Sequence, residues 1–318
     1  MGKHIVCSGC SFTRQQRRLG INGTDTDFLS DDKNFWRWPH HLQELLKDDK
    51  VYNLGNPTND NNVILLSIIT KVNELIKDGV DTKDIYVIVQ WSDANRKSYF
   101  ISKNVAKEFN SDLEETQNSD DSYSHVSAYL GDDGYYILSG GYSYDHVPYD
   151  VVNVFDSMAL YSSTENFTIE YCKNILFLQN FCKIHNIPNF HFNLSFNFLQ
   201  PKYTFEMKDI YFDKKIPKSH FNKLYDNQYI QTIFEQIDLD NVWLYEDELT
   251  NHGGIMEWAI RDFDEDSDTQ LFMEHDTNST FNSVKELVED DPNRYPLGHP
   301  SEQMNKKFVE NIILKNFF

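Results

Sequence analysis

The chain of 318 residues has no long apolar run. No stretch approaches the roughly 18 apolar residues of a membrane-crossing helix, and the N-terminal Met1-Gly2-Lys3-His4-Ile5-Val6 is too short for the apolar core of a signal peptide. Cysteine is scarce. Four in a chain of this length do not make a disulfide framework, so the thiols are expected to be reduced and the protein to be made in the cytoplasm. Positive charge is also short, with 29 Lys and Arg against 50 Asp and Glu, a net charge of -21. A surface this acidic repels phosphate backbones and anionic bilayers, which argues against nucleic acid and membranes as partners. Internal repeats and a long low-complexity tail are missing as well.

What is present is apolar material enough for a sizeable core, 40% of residues, in a length that suits one domain over 1–318. Ile5-Val6-Cys7 reads as a buried strand ending at a Gly9 turn. Pro39 opens a helix whose apolar face carries Leu42, Leu45 and Leu46. Val51-Tyr52-Asn53-Leu54 reads as a second strand, followed by a polar loop through Asn62. Leu65, Ile68, Ile69, Val72 and Ile76 mark an amphipathic helix that stops at Gly79. Ile85 to Trp91 is a continuous apolar strand of the kind that parallel sheets bury on both faces. A helix over about Ile169 to His185, a strand near Phe190 to Phe196 and a last helix capped by Ser301 complete the alternation. Such alternation predicts an open α/β sheet.

Two segments break the rhythm. Residues 97–150 are polar and acidic, and read as an insertion or lid. Within it, Tyr135-Tyr136-Ile137-Leu138 and Gly141-Tyr142-Ser143-Tyr144 flank Ser139-Gly140 like a β-hairpin. Residues 200–290 are irregular and aromatic-rich, with an acidic patch at Asp262 to Asp268.

The chemistry gathers at strand ends. Gly9-Cys10-Ser11-Phe12-Thr13 follows the first strand. A serine on such a turn can attack a carbonyl while its own N–H helps to hold the oxyanion; a plain helix cap fits the same residues. Thr58 and the Asn59–Asn62 cluster follow the second strand, where ligands bind in open α/β sheets; an ordinary Asn-rich turn would look alike. Ser92, Asp93, Asn95 and Arg96 follow the third strand. His299, in Gly298-His299-Pro300-Ser301, stands just before the last helix, poised as a base. Cys7-Ser8-Gly9-Cys10 also offers a CxxC of redox or metal type, without a second pair to complete a zinc site.

Together these segments resemble the SGNH (GDSL-type) hydrolase superfamily. Gly9-Cys10-Ser11-Phe12-Thr13 is similar to its first block, with Cys10 in the Asp place. Asn53 to Asn61 is similar to the second, with Thr58 where a glycine usually stands. Val87 to Arg96 is similar to the third, without its Gly-x-Asn-Asp. Gly298-His299-Pro300-Ser301 is similar to the fifth. Trp38-Pro39 and Gly253-Gly254-Ile255-Met256-Glu257-Trp258 are similar to a divergent branch found in phages and marine microbes. The resemblance covers about residues 4–100 and 165–318.

It implies a three-layer α/β/α sandwich around a parallel sheet of about five strands. It also implies a serine esterase or acyl-transferase acting on an acetylated sugar or short acyl ester, with Ser11 as nucleophile and His299 as base. Thr58, Asn61, Ser92 and Asp93 become the oxyanion or substrate-binding candidates, with Asn59 and Asn95 as further amides, and neither cofactor nor metal is called for. The family acid lies three residues before the histidine, where this chain has Pro296, so a Ser–His dyad is expected in place of a triad. The alternative is a descendant that kept the pocket as a binding or virion structural module.

Overall fold

The structure, a computed structural model, describes residues 2–10, 12–13, 36–55, 59–92, 94, 96–102, 126–129, 134–139, 164–194, 227–245, 253–255, 258–259, 272–273, 280–281, 299–300 and 302–318. Its centre is a sheet of five strands: β1 (His4–Ser8), β2 (Lys50–Asn53), β3 (Ile85–Trp91), β7 (Asn189–Asn193) and β8 (Val242–Trp243). All pairs are parallel and the order is β2-β1-β3-β7-β8. Counting only these strands, that is the 2-1-3-4-5 order of flavodoxin-like sheets. The expected α/β class with a five-stranded parallel sheet is therefore the observed one.

Alternate residues of each strand feed two cores, one on either face. On one face Val6, Tyr52, Val87, Val89 and Trp91 pack beneath α2 (Asn61–Lys77), α3 (Thr164–His185) and α4 (Gln228–Phe234). On the other, Ile5, Cys7, Val51, Ile88, Phe190 and Phe192 pack beneath α1 (Trp38–Leu45) and the C-terminal helix. That last helix runs as α5 (Glu302–Phe308), a π-helical stretch Val309–Ile313, and α6 (Leu314–Phe317). Helix on sheet on helix follows because β3 is apolar on both faces and needs cover on both. Burying one aliphatic side chain contributes roughly 1.5–3 kcal/mol, and Ile5, Val6, Val87, Ile88 and Val89 are all fully buried.

Several local expectations shift. Pro39 occupies the first turn of α1, but the helix already begins at Trp38. Leu42 is buried while Leu45 is 38% exposed, so Leu45 is not part of the core-facing stripe. The second strand ends at Asn53, with Leu54 N donating to Cys7 O to extend the ladder by one residue. The Tyr135–Leu138 run lies in β6 (Gly134–Ser139), whose two edges are taken by β4 (Lys97–Ser102) and β5 (Val126–Tyr129), all antiparallel. The strand thus pairs with earlier residues, and the expected second limb, 141–144, lies outside the described residues. The acidic patch at 262–268 lies outside them too. From the irregular 200–290 segment come α4 and the fifth strand, β8.

Apart from that three-stranded sheet, a further small sheet, in the order β10-β9-β11, joins β9 (Phe272–Met273), β10 (Thr280–Phe281) and β11 (His299–Pro300). Among the described residues, no helix is long and apolar enough to cross a membrane.

Candidate functional site

The strand order reverses between β1 and β3, since β2 lies outside β1 while β7 and β8 follow β3. In open α/β sheets the crevice beyond the carboxyl ends at such a switch point is where ligands bind. Here that edge is built from Gly9, Cys10, Phe12 and Thr13 after β1, the Asn59–Asn61 approach to α2, Ser92 after β3 and Asn193 at the end of β7.

Gln90 organises the β1 side. Its Oε1 accepts from Cys10 N at 3.3 Å, Cys10 Sγ at 3.4 Å and Thr13 Oγ1 at 3.0 Å, while its Nε2 donates to Trp91 O at 2.6 Å. Thr13 Oγ1 in turn accepts from Trp38 Nε1 at 3.0 Å, and Thr13 N donates to Cys10 O at 2.9 Å. Gln90, Thr13, Cys10 and Trp38 are all fully buried, so these bonds act in a low dielectric and hold one arrangement. Thr13 fits there because its neighbours are glycines. A Cβ on Gly9 would lie 2.1 Å from Thr13 Oγ1, and one on Gly55 would lie 2.7 Å from Thr13 Cβ.

The other side of the crevice is held by asparagines. Asp60 caps α2 by accepting from Val63 N at 2.8 Å, which places Asn59 and Asn61 on either side of the cap. Asn61 grips the backbone of Ser92 twice: Nδ2 donates to Ser92 O at 3.2 Å and Oδ1 accepts from Ser92 N at 2.8 Å. Asn59 Nδ2 donates to Gly9 O at 3.1 Å. Asn61 therefore joins the β3 end to α2, and Asn59 joins the β1 end to the same loop.

Buried polar atoms without partners remain at this edge. They are Asn59 Oδ1 and Ser92 Oγ at the switch point, Asn193 Nδ2 at the end of β7 and Asn53 Nδ2 at the end of β2. Each residue is at least 98% buried. The Asn193 carbonyl accepts from Tyr171 Oη, and the Asn53 carbonyl from Gly55 N at 2.9 Å, so their amide orientations are set by these bonds. An unsatisfied buried polar atom costs about 1–3 kcal/mol, and a set of them at a ligand-binding edge is what an incoming polar ligand can satisfy.

A second path reaches the C-terminal segment. Trp38 N donates to Asn305 Oδ1 at 3.1 Å, and Asn305 Nδ2 donates to Pro300 O at 2.8 Å.

Of the sequence-derived site residues, Ser92 and Asn61 stand together at the switch point. Ser92 Oγ is unpartnered, as a ligand-binding hydroxyl would be, whereas the Asn61 amide is engaged with the Ser92 backbone and serves as a clamp. Ser11, Thr58, Asp93 and Asn95 lie outside the described residues. The backbone of His299 pairs with Met273, and its side chain is outside the described set. Gln90, Asn193 and Asn305 were not singled out by sequence, and Trp38 was noted only as part of a motif, not as a site residue. Gln90 did carry a signal, being a polar residue inside an apolar strand run.

The cysteine pair is closed to solvent. Cys7 and Cys10 are buried free thiols, and burial pushes the Cys7 thiol well above its ordinary range. A reactive thiol needs the reverse environment. Among the described residues, no three His, Cys, Asp or Glu side chains are grouped to hold a metal ion.

Comparisons with protein-family models, with curated proteins and with solved structures return no match. Fold and site together define a doubly wound α/β protein with a buried polar cradle at its β1/β3 switch point.

Proposed function

We propose that this protein is a serine esterase or acyl-transferase of SGNH type, with Ser11 as nucleophile, His299 as general base and an acyl ester, such as an acetylated sugar, as substrate. The observation that supports it best is the buried scaffold around the sequence position of Ser11. Cys10 and Thr13, which bracket that residue, are pinned by Gln90 and Trp38, and through Asn305 the same Trp38 holds the carbonyl of the residue that follows His299.

In this reading, Ser11 Oγ attacks the ester carbonyl as His299 takes its proton. The tetrahedral oxyanion collapses, His299 returns the proton to the departing alcohol, and an acyl-serine remains for water or a second alcohol to take. Cys10 N–H is engaged by Gln90, so oxyanion donors must come from elsewhere. The Ser11 and Thr58 backbone N–H groups and the Ser92 hydroxyl are the candidates. An ionised Asp93 beside the oxyanion would oppose the reaction, so Asp93 is not counted among the oxyanion donors. With Pro296 in the acid position, a backbone carbonyl is left to orient the imidazole.

The test is labelling by a serine-directed phosphonate, together with hydrolysis of a short activated acetyl ester. Ser11→Ala is expected to abolish both, a loss of several orders of magnitude, and Asp291→Asn, at an acid that lies upstream of His299 in the sequence, to cost far less. A large loss with Asp291→Asn would show that an acid acts from upstream. Absence of Ser11-dependent turnover on acetylated sugars and short esters would leave the binding-module reading, to be measured by glycan calorimetry.

A further inference from the structure

We infer that Trp38 and Asn305 form a positioning bridge that sets the segment of His299 against the segment of Ser11; the inference rests on the catalytic reading above. Thr13 stands two residues after Ser11 and Pro300 one after His299. Trp38 donates to both sides, by its indole N–H to Thr13 Oγ1 at 3.0 Å and by its peptide N–H to Asn305 Oδ1 at 3.1 Å. Asn305 completes the span by donating to Pro300 O at 2.8 Å.

Local physics explains why Trp38 can do this. It is the first residue of α1, and the first N–H groups of a helix have no partner within it. The Trp38 peptide N–H is therefore available for a cap, and a residue 267 positions away supplies it. The indole is held in its direction by an edge-on contact with Phe192, ring centroids 5.4 Å apart, and Phe192 in turn packs on Phe308 of α5 at 4.8 Å. Trp38 is fully buried, as is Thr13, and Asn305 is 1% exposed, so water cannot replace a broken bond. On the nucleophile side, Thr13 Oγ1 donates its own hydrogen bond to Gln90 Oε1, which also accepts from Cys10 N. A shift at Asn305 therefore reaches Thr13 and Cys10 through a continuous path of hydrogen bonds that runs by way of Trp38 and Gln90.

Two readouts test this, one independent of activity. In urea denaturation, Thr13→Val and Asn305→Leu are expected to be non-additive, because both act through Trp38; strict additivity would overturn the bridge. In phosphonate labelling of Ser11, Thr13→Val and Asn305→Asp are each expected to slow the reaction about tenfold or more, with KM for the ester changed less than about twofold. Asn305→Asp keeps the acceptor for Trp38 and removes the donor to Pro300. Thr13→Ser, which restores the hydroxyl, should recover the rate. Gly79→Ala, a destabilising change at the far end of α2, should leave labelling unchanged. Equal slowing in that control, or undiminished labelling in the bridge variants, would overturn the positioning role. A wild-type protein that takes no label would remove the catalytic reading and this role with it, while the coupling measurement would still report on the bridge itself.

Discussion

At the scale of single residues, the site depends on what is small. Thr13 occupies space that two glycines leave open, so Gly9→Ala cannot be accommodated without moving Thr13 or Gln90. Overpacking of this kind costs roughly 1–3 kcal/mol, and a lowered urea midpoint of that size is the expected outcome. The thiols give a second check. Burial holds Cys172 and Cys182 near about 12 and Cys7 well above its ordinary value. All four cysteines are buried, so iodoacetamide should modify them only as fast as the protein unfolds; rapid modification of native protein would contradict the buried placement. The same scale shows what sequence leaves open between two amides. Asn61 and Asn59 look alike in an Asn-rich loop, and only their partners separate a clamp from a residue with an open acceptor.

At the scale of elements, termini carry the information. Helix α2 is framed by Asp60, whose carboxylate takes Val63 N, and by Gly79 at φ +87. A Cβ at Gly79 meets open space, so the penalty of Gly79→Ala is conformational, about 1 kcal/mol. Asn at that position should cost less, since it tolerates the left-handed region better; equal penalties would point to a packing cause. The strong elements were legible because their patterns are strong. β3 is a run without a charged residue, and α2 repeats apolar positions at helical spacing. β8 was invisible, since two residues carry no period. Leu45 was misread because three leucines near helical spacing suggested a wider buried stripe than an eight-residue helix at the edge of a core presents.

At the scale of the whole molecule, His191 and His40 are enclosed in neutral form. His191 is fully buried between strands, accepting from Trp91 Nε1 at 3.0 Å through Nδ1, which leaves its proton on Nε2 toward Asn189 Oδ1 at 2.8 Å. Burial lowers it to about 3 from 6.5, and burial lowers His40, beside the Arg37 cation, to about 4. The unfolded chain takes up these protons below about pH 6.5 and the folded chain does not. The stabilisation is thus complete above pH 6.5 and declines as pH falls toward 4 and 3, by about 1.4 kcal/mol per unit for each histidine. Ring nitrogen resonances of His191 should show a neutral Nε2–H tautomer at pH 5; titration near 6.5 would contradict the enclosure.

The sequence by itself determined the α/β class, the main strands and helices, and the concentration of polar residues at strand ends. Those follow from local period and turn chemistry, which neighbours along the chain encode. Tertiary structure alone decided the strand order, the fifth strand and the roles of Gln90, Trp38 and Asn305. Their partners lie far off in sequence, as Thr13 does from Gln90 and Asn305 from Trp38. A hydrogen bond between distant segments leaves no periodic trace in a single chain, so its existence is settled only when the sheet and its two helical layers bring the groups within reach.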